Sequence, residues 1–380
     1  MNILLLGATG SIGTSTCNCV RRNPGRFTLA GVSAHRQTET LASIIDEFGP
    51  GDVCVSDDAA AAAFDSSLAR DVRLRRGKEG LEKLANETDY DILVNALVGA
   101  AGFRPTLAAL GRGKRVALAN KESLVIGGDL IRATVRRTGA ELIPVDSEHS
   151  AILQCLAGER REDIESIVLT ASGGPFREIS PENLRKVTPA QALDHPTWSM
   201  GAKITIDSAT LVNKGFELIE AHHLFNLPYE KLRVCIHPQS IVHSMVEFHD
   251  GAVMAQLGVP DMELPIQYAL SYPNRLPLHG KRLHLPEIAN LSFYEPDMNH
   301  FPCLGLCIEA GRMGGTAPVV LNAANEIAVG LFLKEKIGFP DISRIIDQEL
   351  DGHTAGPAED TTIIEEIDNQ TRNRILSLYS

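Results

Sequence analysis

Asn2-Ile3-Leu4-Leu5-Leu6-Gly7-Ala8-Thr9-Gly10-Ser11-Ile12-Gly13 decides the fold of this chain. An apolar run of strand length meets three glycines spaced three apart, and a helix-forming stretch over Ser11–Arg22 follows. A glycine-rich turn between a strand and a helix is the context that a dinucleotide fingerprint requires. Its glycines let the backbone approach a pyrophosphate, which rests on the helix N-terminus. The spacing is GxxGxxG rather than GxGxxG, so an ordinary tight turn satisfies the same pattern.

Outward from this turn, short apolar runs alternate with helical stretches. Strands are expected at Ile3–Leu6, Phe27–Ser33, Asp52–Val55, Ile92–Asn95, Arg115–Leu118 and Leu142–Val145. Helices are expected at Ser11–Arg22, Thr38–Phe48, Asp58–Ala69 and Leu124–Arg137. Such alternation predicts an α/β fold, a Rossmann-like, doubly wound parallel sheet over residues 1–146. Residues 147–272 change to an α+β pattern, with strands over Ile164–Thr170, Ile236–Phe248 and Ala252–Leu257. A proline-rich stretch, 273–302, reads as a linker. Helices near 303–313, 318–335, 341–351 and 360–378 then predict a C-terminal helical bundle over 303–380.

A chain of 380 residues is long enough for two or three domains. The hydrophobic fraction of 44% with 22% charged residues belongs to a soluble globular protein. A net charge of −12 argues against a nucleic-acid partner, though local basic residues can still hold an anionic small molecule. No apolar run approaches the ~20 residues that cross a bilayer, so no membrane partner is expected. Seven cysteines without a finger-like pair read as reduced thiols of a cytoplasmic protein. The first strand starts at residue 2, so neither a signal peptide nor a transit peptide is expected.

The second strand ends Ser33-Ala34-His35-Arg36-Gln37, with no acid to bond a ribose 2′-hydroxyl. Arg36 suits a 2′-phosphate instead, which favours NADPH over NADH. The loops Val94–Gly102 and Leu118–Ser123 follow strands, where such folds place their ligands. Asp146 and Glu148 flank Ser147 after an apolar run. As a strand continuation, alternation would turn both carboxylates to one side, a donor set for a hard divalent cation. They serve equally as a solvated strand end or a helix cap.

Ser172-Gly173-Gly174 after a strand can offer a hydroxyl and close N–H groups to an oxyanion. His195–Gly201, with the only tryptophan, Trp198, between Pro and Gly, reads as a flap that closes on ligand or as a loop anchored in the core. Ser208–Glu220 reads as one helix with Asn213 and Glu217 on one face and Lys214 beside it. Ser208, Asn213 and Lys214 suit a phosphate monoester, leaving Glu217 as a third oxygen ligand for a metal. A solvated face with a Lys214–Glu217 pair is the alternative. His243 reads as a core histidine, and Asn322, Asn325 and Glu326 as packing or rim residues.

Long ordered blocks now carry a resemblance: GATGSIG (7–13), ALVGAAG (96–102), LANKESLV (118–125), PVDSEH (144–149), ASGGPF (171–176), HPTWSMG (195–201), DSATLVNKGFELIEA (207–221), IHPQSIVHSMVEF (236–248) and VPDMELPI (259–266). Together they resemble the 1-deoxy-D-xylulose 5-phosphate reductoisomerase family of the non-mevalonate isoprenoid pathway. The resemblance implies an NADPH- and divalent-metal-dependent homodimer, using Mg²⁺ or Mn²⁺, that rearranges and reduces this sugar phosphate to 2-C-methyl-D-erythritol 4-phosphate. It implies Asp146, Glu148 and Glu217 as metal ligands and, with Lys121, as the catalytic set. It implies Lys121, Ser147, Glu148, Ser172, His195, Trp198, Ser208, Asn213, Lys214 and Glu217 as substrate contacts. It implies Thr9, Gly10, Ser11, Ile12, Gly13, Asn120, Glu122, Gly201 and Met262 as cofactor contacts, beside Arg36 and Gln37. At 37 the family pattern has Asn where this chain has Gln.

Overall fold

The computed structural model describes residues 1–64 and 72–379. Two compact units are present. The first comprises residues 1–123, 131–150 and 261–281, the second residues 124–130, 151–260 and 282–380.

The first unit is built on seven parallel strands: β1 (Asn2–Leu6), β2 (Thr28–Ala34), β3 (Asp52–Val55), β4 (Arg73–Arg76), β5 (Ile92–Asn95), β6 (Arg115–Leu118) and β7 (Leu142–Pro144). Their order is β4-β3-β2-β1-β5-β6-β7. β1 is central and pairs with β2 (Leu5 opposite Val32) and with β5 (Leu5 opposite Val94). Ile3 to Leu6 are fully buried, as strands covered on both faces must be. The helices between strands are α1 (Ser11–Arg22), α2 (Thr38–Phe48), α3 (Asp58–Ala63), α4 (Gly77–Glu87), α5 (Phe103–Gly111) and α6 (Glu122–Thr138), which bends at Gly127 (φ −143°, ψ 29°). After β7 comes α7 (Ser147–Cys155), which runs on into the second unit. Parallel pairing puts the carboxyl ends of all seven strands along one edge. The turn after β1, Arg36 after β2, and the loops after β5, β6 and β7 therefore open on the same edge.

The expected elements here are present with small shifts at their ends. The helix expected over Asp58–Ala69 is seen as α3, and residues 65–69 of that stretch lie outside the described residues. β4 was not anticipated. Its sequence, Arg-Leu-Arg-Arg, is charged because it is the sheet's edge, where one side meets water. The expected strand over Leu142–Val145 stops at Pro144, so strand alternation does not set the directions of Asp146 and Glu148. The helix-cap alternative describes them better. Asp146 precedes α7, whose first turn is closed by Ser150 N–H donating to the Asp146 carbonyl at 2.8 Å.

The second unit carries a four-stranded mixed sheet: β8 (Ile164–Ala171), β9 (Leu232–Ile236), β10 (Val242–Phe248) and β11 (Val253–Leu257), in the order β11-β10-β8-β9. Short helices α8 (Pro181–Leu184) and α9 (Pro189–Leu193) precede α10 (Ala202–Thr210) and α11 (Val212–Phe225). The helix expected over Ser208–Glu220 is thus two helices, parted by Leu211 in the left-handed region (φ 63°). The single strand expected over Ile236–Phe248 is seen as β10 alone, with Ile236 closing β9 and residues 237–241 forming a turn in which the Ile241 N–H donates to His237 Nε2 at 3.2 Å. α12 (Glu263–Ser271) returns to the first unit. The proline-rich stretch holds one short helix, α13 (Leu285–Ile288), and Tyr294 bridges to Ile236 of β9. Four helices complete this unit: α14 (Cys303–Met313), α15 (Ala317–Leu333), α16 (Phe339–Asp351) and α17 (Thr361–Tyr379). Among the described residues no helix is long and apolar enough to cross a membrane.

Candidate active site

In the first unit the site grows from the turn after β1. The Gly7 N–H donates to Ser33 Oγ (3.0 Å) and the Ala8 N–H to the Ser33 carbonyl (2.8 Å), which fixes the turn against β2. A methyl group at Gly13 would stand 2.3 Å from the Gly7 carbonyl oxygen, so only glycine lets α1 pack this close. Gly10, by contrast, is exposed, with Thr9 half-buried beside it and Ser11 and Ile12 opening α1. Open glycine backbone at a helix start is what a pyrophosphate requires.

At the end of β2, Arg36 and Gln37 are exposed, as expected. The sequence showed no acid there, yet the fold brings one. Asp57, between β3 and α3, accepts from Arg36 Nε at 2.8 Å and from the Ala60 N–H at 2.9 Å. Both bonds hold its carboxyl below the usual carboxylate range, the Ala60 bond more strongly. The only sequence signal for Asp57 was its place before the alanine-rich helix, an N-cap signature.

The loop after β6 carries Asn120, Lys121 and Glu122, all buried. Asn120 Nδ2 donates to the Leu97 and Gly99 carbonyls (3.0 and 2.9 Å) and to Glu122 Oε2 (3.0 Å). Its amide therefore ties together the loops after β5 and β6. Lys121 Nζ lies 2.6 Å from Asp146 Oδ2. Burial alone would raise the Asp146 carboxyl. The Lys121 ammonium, His149 and hydrogen bonding with Glu148 and Lys121 outweigh it and hold the group well below the usual range. Ser147 Oγ donates to Glu148 Oε2 at 2.5 Å. Asp146 and Glu148 also stand at the start of α7, where the helix dipole favours negative charge. Met262 sits just before α12, half-buried, in this same unit.

In the second unit the Ser172-Gly173-Gly174 loop leaves β8 and meets the end of α10. A methyl at Gly174 (φ +69°) would lie 2.9 Å from the Ser208 carbonyl oxygen and 3.0 Å from Ala209 Cα. Ser208 is thus near the end of its helix rather than at a start, and the left-handed Leu211 turns the chain so that Asn213 and Lys214 follow on a new axis. Ser172 Oγ lies 3.0 Å from His195 Nε2 and accepts from the Gly174 N–H at 3.2 Å. His195 Nδ1 accepts the N–H groups of Thr197 (3.2 Å) and Trp198 (3.0 Å). Two donors on Nδ1 place the ring proton on Nε2, so the imidazole donates to Ser172. Burial keeps His195 below its ordinary pKa, in the neutral form. Residues 195–201 form neither helix nor strand. Trp198 is half-buried, 6.3 Å from the His243 ring, and Gly201 caps α10.

Lys214 and Glu217 on α11 are buried and hydrogen-bonded to each other, and Asn213 Nδ2 donates to Glu217 Oε1 at 2.7 Å. The expected free third carboxylate is therefore already engaged, by the pair named as the alternative. That pair is not solvated: Glu217 is 0% exposed. Burial of an ionised carboxylate is tolerated only with such partners.

Comparison with known proteins follows from this geometry. Family models described as "1-deoxy-D-xylulose 5-phosphate reductoisomerase", its "C-terminal domain" and "DXP reductoisomerase C-terminal domain" match residues 3–128, 142–225 and 257–374. The chain is 54% identical over 355 residues to the 1-deoxy-D-xylulose 5-phosphate reductoisomerase of Prosthecochloris aestuarii, covering 93% of each. It superimposes with a TM-score of 0.92 and 42% identity on the Zymomonas mobilis enzyme of that name in complex with NADPH, covering 100% of this chain and 99% of that one. A DOX-P reductoisomerase in complex with NADPH, fosmidomycin and magnesium superimposes with a TM-score of 0.95 and 41% identity, covering 99% and 98%.

Proposed function

This chain belongs to the 1-deoxy-D-xylulose 5-phosphate reductoisomerase family, and from that membership we propose how its own residues carry the reaction. It is an NADPH-dependent oxidoreductase that rearranges the carbon skeleton of 1-deoxy-D-xylulose 5-phosphate and reduces the product aldehyde to 2-C-methyl-D-erythritol 4-phosphate, in isoprenoid biosynthesis. When bound, the nicotinamide supplies hydride, and a divalent cation supplies a Lewis acid for the substrate's carbonyl and neighbouring hydroxyl.

Both groups suit the residues present. The open backbone at Gly10, the close packing at Gly13 and the exposed Arg36 support a dinucleotide with a 2′-phosphate over 1–146. Thr9, Ser11, Ile12, Gln37, Asn120, Glu122, Gly201 and Met262 complete the proposed cofactor contacts. Asp146, Glu148 and Glu217 are the proposed ligands of Mg²⁺ or Mn²⁺. In support, all three offer oxygen, and Asp146 and Glu217 each already hold a lysine ammonium. A positive charge is thus matched to Asp146 and to Glu217 before any ion arrives.

The second unit's residues take the substrate's phosphate. Ser172 accepts from His195 and Gly174, so its one proton is left for an anionic oxygen. Ser208, Asn213 and Lys214 add a hydroxyl, an amide and an ammonium. Binding energy gathered at the phosphate orients the distant reacting carbons and draws the 195–201 flap, with Trp198, over them. Lys121, with Ser147 and Glu148, donates to or positions the substrate's oxygens beside Asp146. Residues 147–272 are the catalytic domain on this assignment, 273–302 its linker and 303–380 the helical tail.

We also place the enzyme in the cytoplasm as a homodimer. Seven free cysteines support a reducing compartment. β11, an open sheet edge with exposed Val253 and Met254, supports pairing of two copies.

The observation that carries the site assignment is the hydrogen-bonded Asn213–Lys214–Glu217 cluster, with Lys214 and Glu217 buried. Its test is a steady-state assay with 1-deoxy-D-xylulose 5-phosphate, NADPH and Mg²⁺ or Mn²⁺. Turnover is expected only with the metal, and Glu217→Gln is expected to lower it at least about a hundredfold with NADPH binding kept. Full turnover by that variant overturns the assignment.

A further inference from the structure

Asp207 precedes the phosphate-site serine, Ser208, and is 2% exposed. Two donors from different elements hold its two oxygens. Lys203, one turn earlier on α10, places Nζ 2.9 Å from Oδ2. Asn325 of α15, 0% exposed, donates Nδ2–H to Oδ1 at 2.8 Å, across 118 residues of chain. The Lys203 ammonium also lies 5.2 Å from the Phe216 ring centroid on α11. Neither Asp207 nor Asn325 belongs to the site described above, and from sequence alone Asn325 reads as a packing or rim residue.

A buried carboxylate is expensive unless each oxygen is satisfied, and its partners then fix its direction. On a helix that direction is not a local matter. Residues along α10 are set about 100° apart, so fixing Asp207 fixes the rotation of the helix and with it the direction of Ser208. The Lys203–Asp207 bond itself lies within α10, one turn apart. The Asn325 bond comes from another helix and supplies the external reference. α10 has only nine residues; Ile206 and Ala209 bury its apolar side, and the Asn325 bond adds a directed polar constraint at Asp207, the residue next to Ser208.

We infer that the Asp207–Asn325 hydrogen bond positions Ser208: helix α15 helps set the rotation of α10 and so aims the serine hydroxyl into the phosphate cradle. Asp207 and Asn325 act through Ser208 and do not touch substrate. The inference rests on the reading of Ser208 as a phosphate contact.

The test is a kinetic cycle in the full-length enzyme with Asn325→Leu, Ser208→Ala and the double variant, measuring kcat and KM for 1-deoxy-D-xylulose 5-phosphate, Kd for NADPH, and Tm. Asn325→Leu removes a hydrogen bond to a charged group, and the expected result is a KM raised about tenfold with the NADPH Kd unchanged. In the Ser208→Ala background the same substitution is expected to add little, because both changes act on one hydroxyl. An equal rise in KM in both backgrounds overturns the inference, as does a lowered Tm with KM unchanged. If Ser208→Ala itself leaves KM unchanged, the phosphate reading fails. If Ser208→Ala raises KM and Asn325→Leu does not, only the positioning role fails. Should Asn325→Leu not fold, Asp207→Asn keeps the side-chain volume, weakens the acceptor, and enters the same cycle with the same expected and overturning results.

Discussion

A hydroxyl that accepts two hydrogen bonds has one proton left to give, and Ser172 is in that state because of His195. The tautomer follows from the Thr197 and Trp198 N–H groups on Nδ1. Protonating His195 would set a third N–H against those two donors. Because its folded pKa lies below the unfolded value of about 6.5, the stability it contributes is complete above that pH and lost as pH falls through the folded value. The Tm gap between the wild type and His195→Asn, which has no such ionisation, is therefore expected to narrow from pH 7 to pH 5. A gap that widens would contradict the neutral ring. At the cofactor end, Arg36→Ala is expected to weaken NADPH about tenfold in Kd, measured by fluorescence titration, with little change for NADH. Equal loss for both would remove the 2′-phosphate role. Arg36 was legible from its place after a strand. Its partner Asp57 was not, since only the pairing of β2 with β3 brings the two strand ends together.

Among the elements, the break between α10 and α11 was the least legible. No glycine or proline marks Leu211, so a helical pattern reads straight through it. Two terms compete there. Left-handed backbone at a non-glycine residue costs roughly 1–2 kcal/mol, whereas a buried leucine truncated to nothing loses roughly 2–5 kcal/mol. Leu211→Gly is therefore expected to destabilise by about 1–3 kcal/mol in urea unfolding, because packing outweighs the relieved strain. A more stable variant would show that strain dominates. β4 escaped notice for a related reason: an edge strand rich in arginine has no apolar signature. The strands that read well, such as β3, β5 and β6, lie inside the sheet and are apolar on both faces. The α7 start read only in part. The carboxylates of Asp146 and Glu148 were identified, but a helix rather than a strand directs them.

For the whole molecule, sequence gave the order of layers and missed what depends on distant partners. Asn325 is the example: one amide on an apolar helix has no local pattern to reveal its bond to Asp207. The division into two compact units was equally hidden, because residues 261–281 return to the first unit only in three dimensions. The proposed homodimer is an expectation at this scale. Val253→Lys with Met254→Lys puts two charges on the open β11 edge, and light scattering is expected to show a shift from dimer toward monomer. An unchanged mass would move the interface elsewhere.

On the proposed ligand set, the lysines seated on Asp146 and Glu217 give ion uptake the character of an exchange reaction. An entering divalent ion takes over negative charge that the chain has already neutralised, so part of its binding energy goes to displacing a resident ammonium. Folding then does not wait for the ion, unlike a zinc finger, whose ligands have no substitute. Chelator treatment is accordingly expected to abolish turnover while lowering Tm by no more than about 2 °C. On that ligand set, occupancy becomes a reversible function of the free-ion level around the enzyme.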